Sequence, residues 1–218
     1  MKRWLAAALL LALGAPAWGA PFAVRLGAER VVLDAPPGFA DTLDLASPRL
    51  QELAEALTSA SNRILLFALT DADLRRFTQG DTPELRRYLL VATPRAMERE
   101  RVGLARFRDF VGDSVRSLGT PAQPADLRKF LDAQPLGRAV LVAELRRTPQ
   151  AVSLQLGTRL AGQDGKSVYL LSTTTLLLMQ AKALNVSAYT GYTNDADAEW
   201  LRDTTLRWID ELQRLNTR

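Results

Sequence analysis

The stretch from Ala139 to Tyr192 restricts the fold more than any other part of the chain. Ala139 to Arg147, Ala151 to Leu160, Ser167 to Met179 and Leu184 to Tyr192 are four runs rich in β-branched, aromatic and aliphatic residues, the composition of strands. They are separated by Thr148-Pro149-Gln150, by Ala161 to Lys166 with its Asp164-Gly165 turn signal, and by Gln180 to Ala183. A parallel crossover needs about a dozen residues or more, so connectors this short make the neighbours antiparallel. The four runs therefore form a meander. Ser167 to Met179 and Leu184 to Tyr192 carry no charge, which places them near the centre of a sheet. Val168 to Val186 has Lys182 as its sole charge and invites a membrane reading. Ser172 to Thr175, Gln180 and Asn185 make poor hydrocarbon, however, and suit a pleated strand.

Asn194 to Leu215 follows as one amphipathic helix. Leu201, Thr205, Trp208, Leu212 and Leu215 recur every three or four residues, with Trp200 and Ile209 widening the stripe that belongs on the sheet. Asn194, Asp195, Asp197 and Glu199 crowd the first turn, where side-chain oxygens cap free amides and meet the positive dipole end. Their alternation resembles a calcium loop but lacks its glycine at the sixth position and its distant glutamate, so capping is the reading.

Ahead of the meander, Phe22 to Leu33 reads as an opening hairpin about Gly27-Ala28, broken by Asp34-Ala35-Pro36-Pro37-Gly38. Ser47-Pro48 marks a helix start, with Ser47 as cap, running to about Ser59. Arg63 to Thr70 and Arg87 to Thr93 are strand-length apolar runs, and a turn or short helix begins at Asp71 and Asp73 and ends near Gly80. Thr93-Pro94 repeats the cap-then-proline signal and predicts a long charged helix from Arg95 to Leu118, ended by Gly119. A short helix follows through Leu127, Phe130 and Leu131 to Ala133.

Residues 1–20 have the layout of a secretory signal peptide: Lys2 and Arg3, an apolar run from Trp4 to Leu13, then small residues from Ala15 to Ala20, with cleavage between Ala17 and Ala20. Residues 21–218 then make a single exported α+β domain, with no transmembrane span in the mature chain. Twenty-four of the 28 basic residues are Arg, a bias associated with GC-rich bacterial genomes, so the expected location is periplasmic. Loss of Lys2 and Arg3 takes the formal charge from +4 to +2, which removes the main support for a nucleic-acid partner.

The chain has no His and no Cys, which disfavours Ser-His-Asp and Cys-His catalysis, ordinary zinc sites, iron–sulfur clusters and thiol redox chemistry. No glycine-rich phosphate loop is present. We therefore assign no catalytic, cofactor-binding or metal residue and expect no cofactor. Asp41 with Asp44, or Asp71 with Asp73, are the loop acids a glycosidase-like pair would use, and read as solvated turn residues. Arg95, Arg99, Arg101, Arg106 and Arg108 form a basic strip, but Glu98, Glu100 and Asp109 are spaced to pair with it along one helix. Tyr169, Tyr189, Tyr192 and Trp200 lie near one end of the meander, where they either pack or line a pocket for an apolar ligand.

An opening hairpin, the Pro-Pro-Gly-Phe break at Pro36 to Phe39, helices, a meander and a terminal helix together resemble the PsbP-like superfamily, an α/β/α sandwich about an antiparallel sheet. The resemblance spans most of residues 22–216 and departs from the compact family pattern between Arg95 and Gln134. It implies an accessory, protein-binding role without an active site, and carries no functional residue across. The expected molecule is thus an antiparallel sheet, the four-strand meander plus N-terminal strands, flanked by helices starting at Pro48, Pro94 and Asn194. Its expected function is that of a non-catalytic periplasmic accessory or binding protein for a protein partner or small hydrophobic ligand in the cell envelope. The alternatives are a hydrophobic-ligand or lipid carrier and a carboxylate-dependent hydrolase.

Overall fold

A computed structural model describes residues 20–162 and 164–217. All of the segment read as a signal peptide except Ala20 lies outside them. The chain folds as α+β. β1 (Phe22–Leu26) and β2 (Glu29–Leu33) pair as a separate two-stranded sheet, turning at Gly27, whose φ of +59° suits glycine. The main sheet has seven antiparallel strands: β3 (Phe39–Asp41), β4 (Asn62–Thr70), β5 (Arg87–Pro94), β6 (Ala139–Thr148), β7 (Ala151–Ala161), β8 (Ser167–Met179) and β9 (Lys182–Gly191). Their order is β3-β4-β5-β9-β8-β7-β6, so the meander forms one half and the uncharged runs Ser167 to Met179 and Leu184 to Tyr192 lie near the centre, as their composition implied.

Side chains alternate across these strands and fill two layers. On one face Leu171, Leu177, Val186 and Ala188 pack with Leu201, Trp208, Ile209 and Leu212 of α5 (Asp195–Leu215), with the β1–β2 hairpin beside it. On the other face two separate clusters form. Phe67, Leu69 and Leu90 meet α1 (Pro48–Ala56), with Phe77 of α2 (Asp71–Thr78) against them. Val152, Leu154 and Leu176 meet Phe107 and Val111 of α3 (Leu104–Leu118). The sheet is thus covered on both faces. α4 (Leu127–Asp132) brings Leu131 into the first layer. The Thr run is absorbed by pairing: the Thr173 and Thr205 hydroxyls are hydrogen-bonded at 2.6 Å, and Thr175 Oγ1 donates to Ser153 Oγ at 2.9 Å.

The helix expected from Arg95 is a correction. A single 3-10 turn spans Arg95–Met97, the chain then runs without helix to Gly103, and α3 begins at Leu104. Thr93 is no cap; its hydroxyl donates to the Ala183 carbonyl at 3.0 Å. The physical reason is Lys182, which is 1% exposed and donates its ammonium to the carbonyl oxygens of Glu98 at 3.1 Å and Glu100 at 2.6 Å. Val102 N also donates to Ala181 O at 2.8 Å. Burying an unsatisfied ammonium costs far more than forgoing a helical turn, so these carbonyls serve the lysine. Two smaller differences accompany it. Ser47 precedes α1 but its side chain makes no capping bond. The β8–β9 connector shrinks to Gln180 and Ala181, both at positive φ as in a type I′ turn, so β9 begins at Lys182.

Candidate functional groove

α5 buries one stripe on the sheet, and the residues beside that stripe face the loop that leaves β2. That loop contains Pro36 and Pro37 and is tied to the helix by Trp208 Nε1, which donates to the Asp34 carbonyl at 2.7 Å. Between loop and helix lies a groove of about 600 Å³, with Pro36, Pro37 and Phe39 on one side and Trp200, Arg207 and Glu211 on the other. Trp200 widens the core stripe as expected, packing half-buried against it at the groove rim. Its ring lies 6.1 Å from Phe39 and 4.1 Å from the Arg87 guanidinium.

Arg87 is held in place by Asp197. The carboxylate accepts from Arg87 at 3.1 Å and from Thr193 N and Oγ1 at 2.9 and 2.6 Å, with Arg86 at 3.5 Å. Burial works to raise its pKa, but the Thr193 and Arg87 hydrogen bonds outweigh this and hold it at about 2. Arg87 Nε is buried and has no hydrogen-bond partner among the described residues.

Two carboxyl groups line the groove with opposite tendencies. Burial pushes Asp34 up against a backbone hydrogen bond from Ala35, and the charge of Glu211 adds to the rise. Glu211 is lowered by hydrogen bonds from Arg214, whose Nε donates at 2.8 Å. A second, polar cavity of about 370 Å³ lies where α1 meets β4, with the hydroxyl groups of Ser47, Thr58 and Ser59 on its wall.

The residues singled out in the sequence fall elsewhere. Tyr189 lies on the opposite face of the sheet, stacked on Tyr88 at 4.4 Å, and burial pushes both hydroxyls up. Tyr169 and Tyr192 meet edge to face at 6.4 Å, with Arg128 over both rings. Of the four aromatics only Trp200 lines the groove: Tyr189 is on the opposite face, and Tyr169 and Tyr192 are buried in the layer under α5. Asn194 caps Ala196 N at 3.0 Å and Asp195 accepts from Tyr192 at 3.1 Å, which bears out capping at that helix start.

In each loop acid pair one carboxyl is sheltered and the other exposed. Asp41 is raised by burial against hydrogen bonds from Phe67 N and Leu43 N, while Asp44 stays exposed. Asp73 is buried and accepts from Glu84 N, while Asp71 is exposed. The arginine strip is exposed but not one helix face: Glu98 pairs with Arg63, Arg101 with Glu29 and Arg106 with Glu100.

Asp34, Pro36 and Pro37 carried only a strand-break signal in the sequence, and nothing local pairs them with a helix more than 160 residues away. No protein-family model and no curated protein matches the chain. Two solved structures are remotely similar. The Saccharomyces cerevisiae Ran-binding protein Mog1p is 13% identical, with a TM-score of 0.39, over 90% of this chain and 94% of that one. A mutant of Mog1 is 12% identical, with a TM-score of 0.40, over 89% and 94%. At such scores the likeness carries nothing about activity or partners. Among the described residues no helix is long and apolar enough to cross a membrane.

Proposed function

We propose that this is an exported, periplasmic accessory protein without catalytic activity, and that it binds a protein partner through the groove between the Pro36-Pro37 loop and α5. The observation that supports the reading most is the groove itself: Pro36, Pro37 and Trp200 remain partly exposed above the buried Phe39, braced by the Arg87–Asp197 pair and rimmed by charge. Surface apolar strips with polar rims are where partners dock. The signal-like N-terminus supports export, and the PsbP-like order of elements implies the same kind of role.

The test is photo-cross-linking in the native envelope from a photoreactive residue placed at position 207, which is exposed on the groove rim. A single reproducible protein adduct, lost on Trp200→Ala while the circular dichroism spectrum is unchanged, is the expected outcome. No adduct above that from an exposed control site such as position 113 counts against the reading.

One observation favours a second reading, a carboxylate-dependent hydrolase: Asp34 is raised and Glu211 lowered in one groove, the split an acid and its partner require. On that reading the protein cleaves chromogenic glycosides and Asp34→Asn abolishes the cleavage. Absence of turnover across a glycoside panel removes it.

A further inference from the structure

The arginine strip between β5 and α3 is joined in the fold by arginines that are distant in sequence. Arg25 of β1 and Arg30 of β2 stand directly opposite each other in the hairpin register, and both are exposed. The hairpin turn leans on the 95–103 segment: a Cβ at Gly27 would lie 3.0 Å from the Arg99 carbonyl oxygen. Arg101 pairs with Glu29 of the hairpin and Arg63 of β4 with Glu98, while Arg63 Nη1 also donates to the Arg25 carbonyl at 3.5 Å. Arg95 N donates to Ser61 O at 2.9 Å, and Arg106 pairs with Glu100. Seven arginines therefore gather at one end of the molecule.

The acids among them are fewer. Glu29, Glu98 and Glu100 each take one arginine, and Glu55 lines the polar cavity with Arg63 and Arg95. Arg25, Arg30 and Arg99 have no carboxylate partner among the described residues, and Arg95 turns its Nε to the Ala60 carbonyl. Lys182 adds a buried ammonium held by carbonyls alone. The positive excess at this end is larger than the +2 of all residues 21–218, so the rest of the chain is net negative. Like charges directly opposite on paired strands destabilise them, and folding by itself does not call for Arg25 beside Arg30. An anion outside the molecule does.

Guanidinium forks match phosphate oxygens in pairs. Neither cavity described above is lined by Arg25, Arg30, Arg99, Arg101 or Arg106, so the charge is spread over exposed turns instead of converging on one bound ion. An apolar side chain stands in the same place: Leu104, which opens α3, is 48% exposed, with Arg101 just before it and Arg108 one turn beyond. Exposed arginines about an exposed leucine are what an anionic lipid interface takes, charge at the phosphates and the apolar group below them.

We propose that this end of the molecule seats on an anionic phospholipid surface, with Arg25, Arg30 and Arg99 against the phosphates and Leu104 at the acyl boundary. The groove beside α5 takes no part, so this inference and the partner reading stand or fall separately.

The experiment is co-sedimentation of protein expressed from the full chain with vesicles of phosphatidylcholine alone, or of phosphatidylcholine and phosphatidylglycerol in equal parts. Sedimentation with the mixed vesicles only, lost between about 0.05 M and about 0.5 M salt, is the expected result. An arginine near such a surface contributes about fivefold, so the double variant Arg25→Gln, Arg30→Gln is expected to bind about thirtyfold more weakly. Relief of the opposed charges means that it melts no lower than the parent. The control double variant Arg75→Gln, Arg138→Gln, which removes the same charge from exposed sites at the other end of the sheet, is expected to keep most of the binding. Leu104→Ser is expected to weaken it about tenfold.

No sedimentation at low salt, or equal sedimentation with both kinds of vesicle, overturns the proposal. Equal loss in the two double variants overturns it as well, since net charge then acts without a site. A lower melting temperature for Arg25→Gln, Arg30→Gln shows that the pair serves the fold and has the same effect. Release from vesicles by inorganic phosphate, but not by chloride of equal ionic strength, assigns the arginines to a single free anion. Equally tight binding of poly-glutamate assigns them to an acidic protein, and either result removes the lipid assignment. Undiminished binding by Leu104→Ser removes the leucine from the contact.

Discussion

Asp197 is 4% exposed, and two arginines and both hydrogen-bonding groups of Thr193 converge on it. Its folded pKa of about 2 lies below the ordinary 3.8, so the folded state favours the ionised form. That contribution is present above about pH 4 and is lost as pH falls through about 2, and it amounts to about 2 kcal/mol. Urea unfolding near pH 6 is expected to show Asp197→Asn less stable than the parent by about that amount, with the gap closing near pH 2. The same substitution loosens Arg87 behind Trp200, so Trp200 emission in the folded variant is expected to shift as well. Gly157 is constrained by neighbours in another way. A Cβ there would lie 2.6 Å from Leu131 Cδ2 and 3.3 Å from Val142 Cγ2, so Gly157→Ala must push the buried Leu131 side chain aside. A loss of about 1–3 kcal/mol in chemical denaturation is the expected cost of that overpacking.

Among the elements, the β8–β9 hairpin bears the most local strain. Gln180 and Ala181 adopt φ of +51° and +55°, conformations that L-residues reach at a cost and glycine reaches freely. Ala181→Gly is therefore expected to stabilise the protein by about 1 kcal/mol, read as a higher melting temperature. The hairpin also governs the segment before α3 through Lys182. Lys182→Met leaves the carbonyls of Glu98 and Glu100 without their donor, and faster amide exchange confined to residues 98–103 is the expected result. At the other side of the sheet, β6 is a long edge strand that would otherwise template pairing with another chain. Two register shifts break it, Ala122 N and Gln123 N cover Leu141 O and Val142 O, and Arg146 and Arg147 are paired with Asp210 and Glu144. Bulges, a covering loop and charge are the usual protections of such an edge.

Across the whole molecule, the two ends of the described chain are clipped together. Asn216 accepts from Val32 N at 2.9 Å and donates to Val32 O at 2.8 Å, so its side-chain amide takes the place of a strand neighbour to β2. It also donates to Leu212 O, and its own carbonyl accepts from Gln180. One residue thus joins the hairpin, the last turn of α5 and the β8–β9 turn. Asn216→Ala is expected to speed amide exchange across residues 22–33 while β8 and β9 stay protected. Uniform acceleration would instead show that the hairpin unfolds only with the sheet.

What the residues determined by themselves was the kind and order of elements. The meander was legible because alternation and short turns are local signals, as were the cap of Asn194 and the stripe of Leu201, Trp208 and Leu212. Composition alone removed thiol and imidazole chemistry. Only the tertiary structure decided where competing local preferences yielded. Thr93-Pro94 is a good helix start by itself, but a buried ammonium more than 80 residues later takes the carbonyls that helix would use. Trp200 has the spacing of a core residue and packs against the core, and only the fold shows that it does so half-exposed, between Phe39 and Arg87. The groove is legible in no local pattern, because its two walls are distant in sequence and meet only when the β2 loop is fastened to α5 by the Trp208–Asp34 hydrogen bond.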